Sequence, residues 1–218
     1  MNLLNKIHNH NKIYNKSLIS YWKYFLHRIL NIYVYKFHYL VLKINYDDLI
    51  VKSNDIDIEI RELFLEDFNY GDPAFFNTKK KKVYKKRVQD NNYKAYGVFD
   101  NSKLIYSTWI SFKNLGLPIP CKIKLNENEA LLEDSYCHPD YRGLGLHSKM
   151  NLFRLKKIYE QGRTYAIAIV LEGNTAALKV QKKSGFQELG YFYAGKIFGF
   201  PFTTLNKKKY DDREKNLF

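Results

Sequence analysis

Hydrophobic and polar positions change period several times along this chain, and each change marks an element. Ile56 to Phe64 alternates Ile-Asp-Ile-Glu-Ile-Arg, the pattern of a half-buried first strand. Phe68 to Val88 reads as helical after an interruption at Gly71-Asp72-Pro73. Tyr93 to Phe99 and Leu104 to Phe112 predict a hairpin around Asp100-Asn101-Ser102, and Leu115 to Asn128, with Pro118 and Pro120, a loop. Ala130 to Cys137 is a strand. Leu146, Met150, Phe153 and Ile158, with Leu152, Leu155 and Tyr159, then space a helix through Glu160, with Lys156 and Lys157 in its last turn and Gly162 as its stop. Thr164 to Leu171 is almost wholly apolar, as in a strand covered on both faces. A short helix from Thr175 to Ser184, Gly185-Phe186, and an aromatic strand from Tyr191 to Phe200 that closes the sheet complete the pattern.

The junction at 137–147 carries the most chemistry. Cys137-His-Pro139-Asp-Tyr141-Arg142-Gly143-Leu144-Gly145-Leu146-His147 runs from a strand end through a tight turn into a helix start. A helix start has amide N–H groups without partners and a partial positive charge, and two glycines let the backbone approach an anion closely. Arg142 adds a fixed cation. The arrangement suits a pyrophosphate held by main-chain amides. A bare Gly-x-Gly after a strand is also an ordinary turn; the order of elements that follows is what gives this one weight.

Cys137-x-Pro139-x-Tyr141-Arg142-Gly143-x-Gly145, then Asn174-x-Ala176-Ala177 and Lys183-x-Gly185-Phe186, resembles the GCN5-related N-acetyltransferases, the GNAT superfamily, over about residues 55–200. Within it, the chain looks most like bacterial members found beside surface-polysaccharide genes. The resemblance implies a mixed α/β fold, a splayed and mostly antiparallel sheet flanked by helices. The domain division expected is an extension at 1–50, the acyltransferase domain at 51–204 and a charged tail at 205–218. The implied co-substrate is acetyl-CoA or another acyl-CoA. Its pantetheine would lie along Tyr136 and Cys137, and its pyrophosphate on amides of Arg142, Gly143, Leu144, Gly145, Leu146 and His147. Asn174 either touches the co-substrate or is simply an N-cap.

The implied reaction moves an acyl group to an amine of a small molecule, an amino sugar or nucleotide sugar fitting the polysaccharide association. Two same-fold alternatives are a transferase using another donor, such as aminoacyl-tRNA, and a non-catalytic binding module. An amine is protonated at neutral pH, so a base is needed. Glu133 and Asp134 are the acids on the strand entering the turn. Alternation sends them to opposite faces, and Glu133 is the candidate. The chain departs from the family at His147, where a small residue is usual, and at Gln181, where many members carry a tyrosine as acid. Tyr191 or Tyr193 would stand in. His147 is expected either to point outward or to contact phosphate.

Charge adds partners to this picture. The 218 residues carry a net charge of +14, which favours anionic ligands or surfaces. Residues 1–46 contain seven Lys or Arg and no acid, and further basic runs occur at Lys79–Lys82 and Lys207–Lys209. Lys16, Ser20, Lys23, His27 and Asn31 share one helical face, with Leu18, Tyr21, Trp22, Phe25 and Leu26 on the rest. Such a segment (residues 1–45) can pack on the domain, form a homodimer contact or lie on an anionic membrane, but cannot span one, because no charge-free run in it approaches the roughly 20 residues needed. Beyond Asn31, Tyr33, Tyr35, Phe37 and Tyr39 leave strand pairing open. Stacking on nucleic acid is the least favoured role. Cys121 and Cys137 form no C-x-x-C and there is no signal peptide, which points to the cytoplasm, with at most a peripheral membrane contact; no metal site is expected.

Overall fold

Local turn chemistry and two-sided burial build one sheet. In the computed structural model, residues 32–45, 47, 57–115 and 123–207 are described. The strands are β1 (Tyr33–Lys43), β2 (Arg61–Glu62), β3 (Tyr93–Asp100), β4 (Lys103–Ser111), β5 (Glu129–Cys137), β6 (Tyr165–Leu171), β7 (Gln187–Ile197) and β8 (Phe200–Lys207). Their spatial order is β2-β3-β4-β5-β6-β1-β7-β8, and only β5 and β6 pair parallel. The helices are α1 (Thr78–Val88), α2 (Leu146–Glu160) and α3 (Thr175–Lys183). This is the mixed, mostly antiparallel splayed sheet with flanking helices that the family resemblance implied.

The β3–β4 hairpin closes through Asn101 and Ser102 at φ 45° and 67°, a left-handed pair that matches the twist of the strands. Leu146, Met150, Leu155 and Ile158 of α2 pack with Leu132 of β5, Ala166 and Ala168 of β6 and Leu40 of β1. Across the sheet, Phe68, Phe76 and Tyr84 pack on Trp109 of β4 and Tyr136 of β5, with Phe68 stacked on Trp109 at 5.8 Å. The helices on the two faces therefore grip the same strands, β4 and β5, from opposite sides.

Three expectations change. Residues 33–43 are not part of a separate extension: β1 lies inside the sheet, antiparallel to both β6 and β7. Phe37 and Tyr39 fill one apolar cluster while Leu40 joins the α2 face, so burial on both sides places this strand in the interior. The strand expected over 56–64 shrinks to β2, because Ile58 and Ile60 serve as packing residues without sheet partners there. The tail expected from residue 205 begins later, since β8 pairs with β7 up to Lys207 opposite Gly190. The amphipathic segment before Asn31 lies outside the described residues. Among the described residues no helix is long and apolar enough to cross a membrane.

Candidate active site

The cleft begins with a bulge. Along the β4–β5 ladder Ser107 faces Tyr136 and Trp109 faces Glu133, so β5 holds one residue more than β4 over this stretch. Asp134 absorbs the excess at φ 50°, and a bulged strand bends. On its other edge β5 pairs with β6 from Glu129↔Tyr165 only to Leu132↔Ala168, although β5 runs on to Cys137 and β6 to Leu171. The strands part there. The gap opens into a cavity of about 520 Å³ lined by both faces of the parted strands.

The bulge also corrects the expectation for the two acids. Simple alternation fails across it, and Glu133 and Asp134 meet the same guanidinium. Arg87 of α1 donates from Nη2 to Glu133 Oε2 and from Nη1 to Asp134 Oδ2, each at 3.2 Å. Asp134 is further held by Lys80 at 2.9 Å and by the Tyr84 hydroxyl at 2.9 Å. Glu133 keeps one oxygen, Oε1, buried and without a partner. Burial pushes its carboxyl up to about 7 despite Arg87, and the nearby Asp134 charge adds to the rise. A carboxyl poised near neutrality beside a cavity is the electrostatic profile of a general base.

Beyond Cys137 the chain turns through a short 3-10 segment, Pro139–Tyr141, pinned by Tyr141 donating to Asp100 at 2.5 Å. Arg142 donates from Nε to the Cys137 carbonyl at 3.3 Å, which folds its side chain back over the strand end. Gly143 and Gly145 sit at φ 84° and 75°, a region costly for residues with a Cβ, and α2 starts at Leu146. Ser148 and Lys149 donate back to the Gly145 carbonyl, but the amides of Gly143 through His147 find no backbone acceptor among the described residues. The first turn of α2 contains no acid and Leu144 is exposed, so an anion can reach these donors.

Tyr136 is buried with its ring 4.2 Å from Phe75 and its hydroxyl donating to Asp72; its side chain is thus core, and only its main chain borders the gap. Cys137 is half-buried and burial raises its thiol, which argues for a packing residue. Asn174 caps α3 by accepting from the Ala177 amide at 3.1 Å, and it also lines the cavity. Tyr191 stands on β7, three strands from β5 or about 14 Å at ordinary spacing, with His38 and Lys36 against its ring. It lines no part of the cavity, and Tyr193 shares that strand. β6 and β1 lie between that strand and β5, so the strand order gives no support to either tyrosine as the acid.

His147 points neither outward nor to the phosphate turn. Its ring turns inward, Nδ1 lies 2.5 Å from the Tyr106 hydroxyl, and Nε2 is buried without a partner. Burial, reinforced by the Arg154 charge, lowers it to about 4, so it is neutral at pH 7. The unfolded chain then binds a proton near pH 6.5 that the native state refuses until about 4, so this stability contribution fades as pH falls across that window. His147→Phe is expected to flatten that limb, by up to about 1.4 kcal/mol per pH unit, in urea titrations from pH 7 to pH 4.

Sequence reasoning missed Arg87 and Arg154. Arg87 was hidden in a lysine run that reads as a solvated face. Arg154 had a signal: it occupies the i+4 series Leu146, Met150, Arg154, Ile158, a charge set in an otherwise apolar stripe. It is only 1% exposed.

No protein-family model and no curated protein sequence matches the chain. Solved structures do. A functionally unknown conserved protein from Staphylococcus epidermidis superposes with a TM-score of 0.55 at 13% identity, over 77% of this chain and 63% of that one. A protein from Novosphingobium aromaticivorans assigned to the GNAT family of acetyltransferases gives 0.50 at 15% identity, over 82% and 67%. The fold is that of the GNAT acetyltransferases. This chain spans about three-fifths of the length of the Staphylococcus protein. An aminoglycoside N-acetyltransferase, AAC(6')-Iy, solved with CoA, matches at 0.48 and 15% identity over 60% of this chain and 92% of its own.

Proposed function

We propose that this GNAT-fold chain is an acyl-CoA-dependent N-acyltransferase acting on an amine of a small molecule, an amino sugar or nucleotide-linked amino sugar being the favoured acceptor. One observation carries the reading: the buried, unpartnered Oε1 of Glu133 stands where β5 and β6 part, and the strand it belongs to leads into five free amides at the start of α2.

The residues fit the co-substrate. Amides from Gly143 to His147, with Arg142 at the rim, hold a diphosphate. The unpaired edge of β5 beyond Leu132 offers main-chain donors and acceptors to a pantetheine arm lying where a strand would. Main-chain N–H near Cys137 favours negative charge on the thioester oxygen. Glu133 takes a proton from the acceptor's ammonium, the freed amine forms the C–N bond, the C–S bond breaks with the electron pair leaving on sulfur, and the amine's second proton goes to that thiolate, giving a neutral amide and a free thiol. A thiol is acidic compared with an alcohol, so departure needs no dedicated tyrosine at Gln181. Arg87 fixes the Glu133 rotamer without quenching its basicity, because the guanidinium is shared with Asp134.

Calorimetry with CoA tests the binding half. Arg142→Glu is expected to weaken CoA at least tenfold, about 1.4 kcal/mol, by placing a like charge beside the diphosphate. An unchanged affinity would remove the turn from the site. A thiol-release screen over amino sugars and nucleotide amino sugars tests the other half; binding without release across the panel would favour a non-catalytic module.

A further inference from the structure

Arg154 is the charged side chain that the reaction above leaves unused. It projects from α2 about 12 Å along the axis from Leu146, on the face of β5 opposite Glu133. Nη1 donates to Thr108 Oγ1 at 2.6 Å and to Ser135 Oγ at 3.2 Å, and Nη2 donates to Asn151 Oδ1. Every one of these acceptors is neutral. A guanidinium has five N–H donors, so two stay unused, and Nε is buried with no partner. Among the described residues no carboxylate pairs with it. Burial lowers its pKa only to about 10, which keeps it charged at neutral pH. A buried cation without a counter-charge is strongly unfavourable unless an anion completes it.

The cavity wall includes Arg154, beside Ser135, His147 and Gln181. Across the gap Arg87 is already occupied by Glu133 and Asp134, so it offers no site for a further anion. The guanidinium with its unpartnered Nε and the base thus stand on opposite faces of the bulge. The amine must approach Glu133, whereas Arg154 shares its helix with the amides that would hold the diphosphate. A group reaching Arg154 therefore arrives with the donor.

We propose that the acyl group carried into this cleft bears a carboxylate of its own, as a malonyl- or succinyl-type thioester does, and that Arg154 receives that carboxylate. The inference rests on the acyl-CoA reading and narrows its donor. The Nε edge suits a planar, charged acceptor, and no free cation in the wall competes for it.

Calorimetry on the full chain with CoA, acetyl-CoA, malonyl-CoA and succinyl-CoA decides it. The expected result is at least tenfold tighter binding of malonyl- or succinyl-CoA than of acetyl-CoA. That advantage should disappear in Arg154→Gln while affinity for CoA itself stays within about twofold. Equal or tighter binding of acetyl-CoA by the wild-type chain overturns the carboxylate proposal and leaves the acyl-CoA reading standing. Binding of none of the four, CoA included, overturns both. The wild-type ratio decides even if Arg154→Gln fails to fold, and Arg154→Lys, which keeps the charge but loses the planar fork, should retain part of the preference.

Discussion

A chain lacking residues 1–45 is expected to lose its cooperative unfolding transition and to accumulate as insoluble protein. The reason is β1. It pairs with β6 from Phe37↔Leu171 to Lys43↔Tyr165 and with β7 from Tyr33↔Lys196 to Val41↔Gln187, so its removal leaves two inner strand edges bare. Phe37, Tyr39, Leu40 and Ile44 are each at most 8% exposed. At about 2 kcal/mol per buried side chain, their loss alone matches the net stability of an ordinary domain. Chain removal up to residue 31 keeps every described contact and should retain a two-state urea transition. That shorter deletion is the proper tool for the membrane question. We propose a peripheral contact through residues 1–31, to be checked by co-sedimentation with anionic liposomes; an undiminished association in the deleted chain would refute it.

Glu133→Gln is expected to lower kcat by about two to three orders of magnitude on a true acceptor, the range for loss of a positioned base. The wild-type rate should rise with pH through a midpoint near 7 as the carboxyl ionises, and the variant should lack that limb. Stability moves the other way. The folded carboxyl holds its proton above the ordinary range, so its contribution is present in acid and lost as pH rises through about 7. The variant should therefore be no less stable than wild type at pH 8, which separates lost chemistry from lost fold. Full activity in Glu133→Gln would refute the assignment. The measurements are a kcat profile from pH 5.5 to pH 8.5 and urea unfolding at both ends.

What the sequence by itself determined is local and periodic. The helix stop at Gly162, the hairpin at Asn101-Ser102, and the strand-turn-helix from Ala130 to Glu160 rest on backbone preferences of the residues present, and they form where those preferences put them. The amide turn was legible for the same reason, since glycines and a helix start define it without help from distant residues. Tertiary structure decided the rest. Whether Tyr33–Lys43 packs inside or outside depends on β6 and β7, which lie more than 120 residues away. The shared grip of Arg87 on Glu133 and Asp134 needs a bulge, which no period of two reveals. Strand order, not spacing along the chain, sets Tyr191 three strands from β5. Arg154 reads as one misplaced charge on a stripe until Thr108, Ser135 and Asn151 close around it. Burial is a property of the assembled neighbours, and burial is what raises the Glu133 carboxyl to about 7 and leaves Arg154 Nε without a partner.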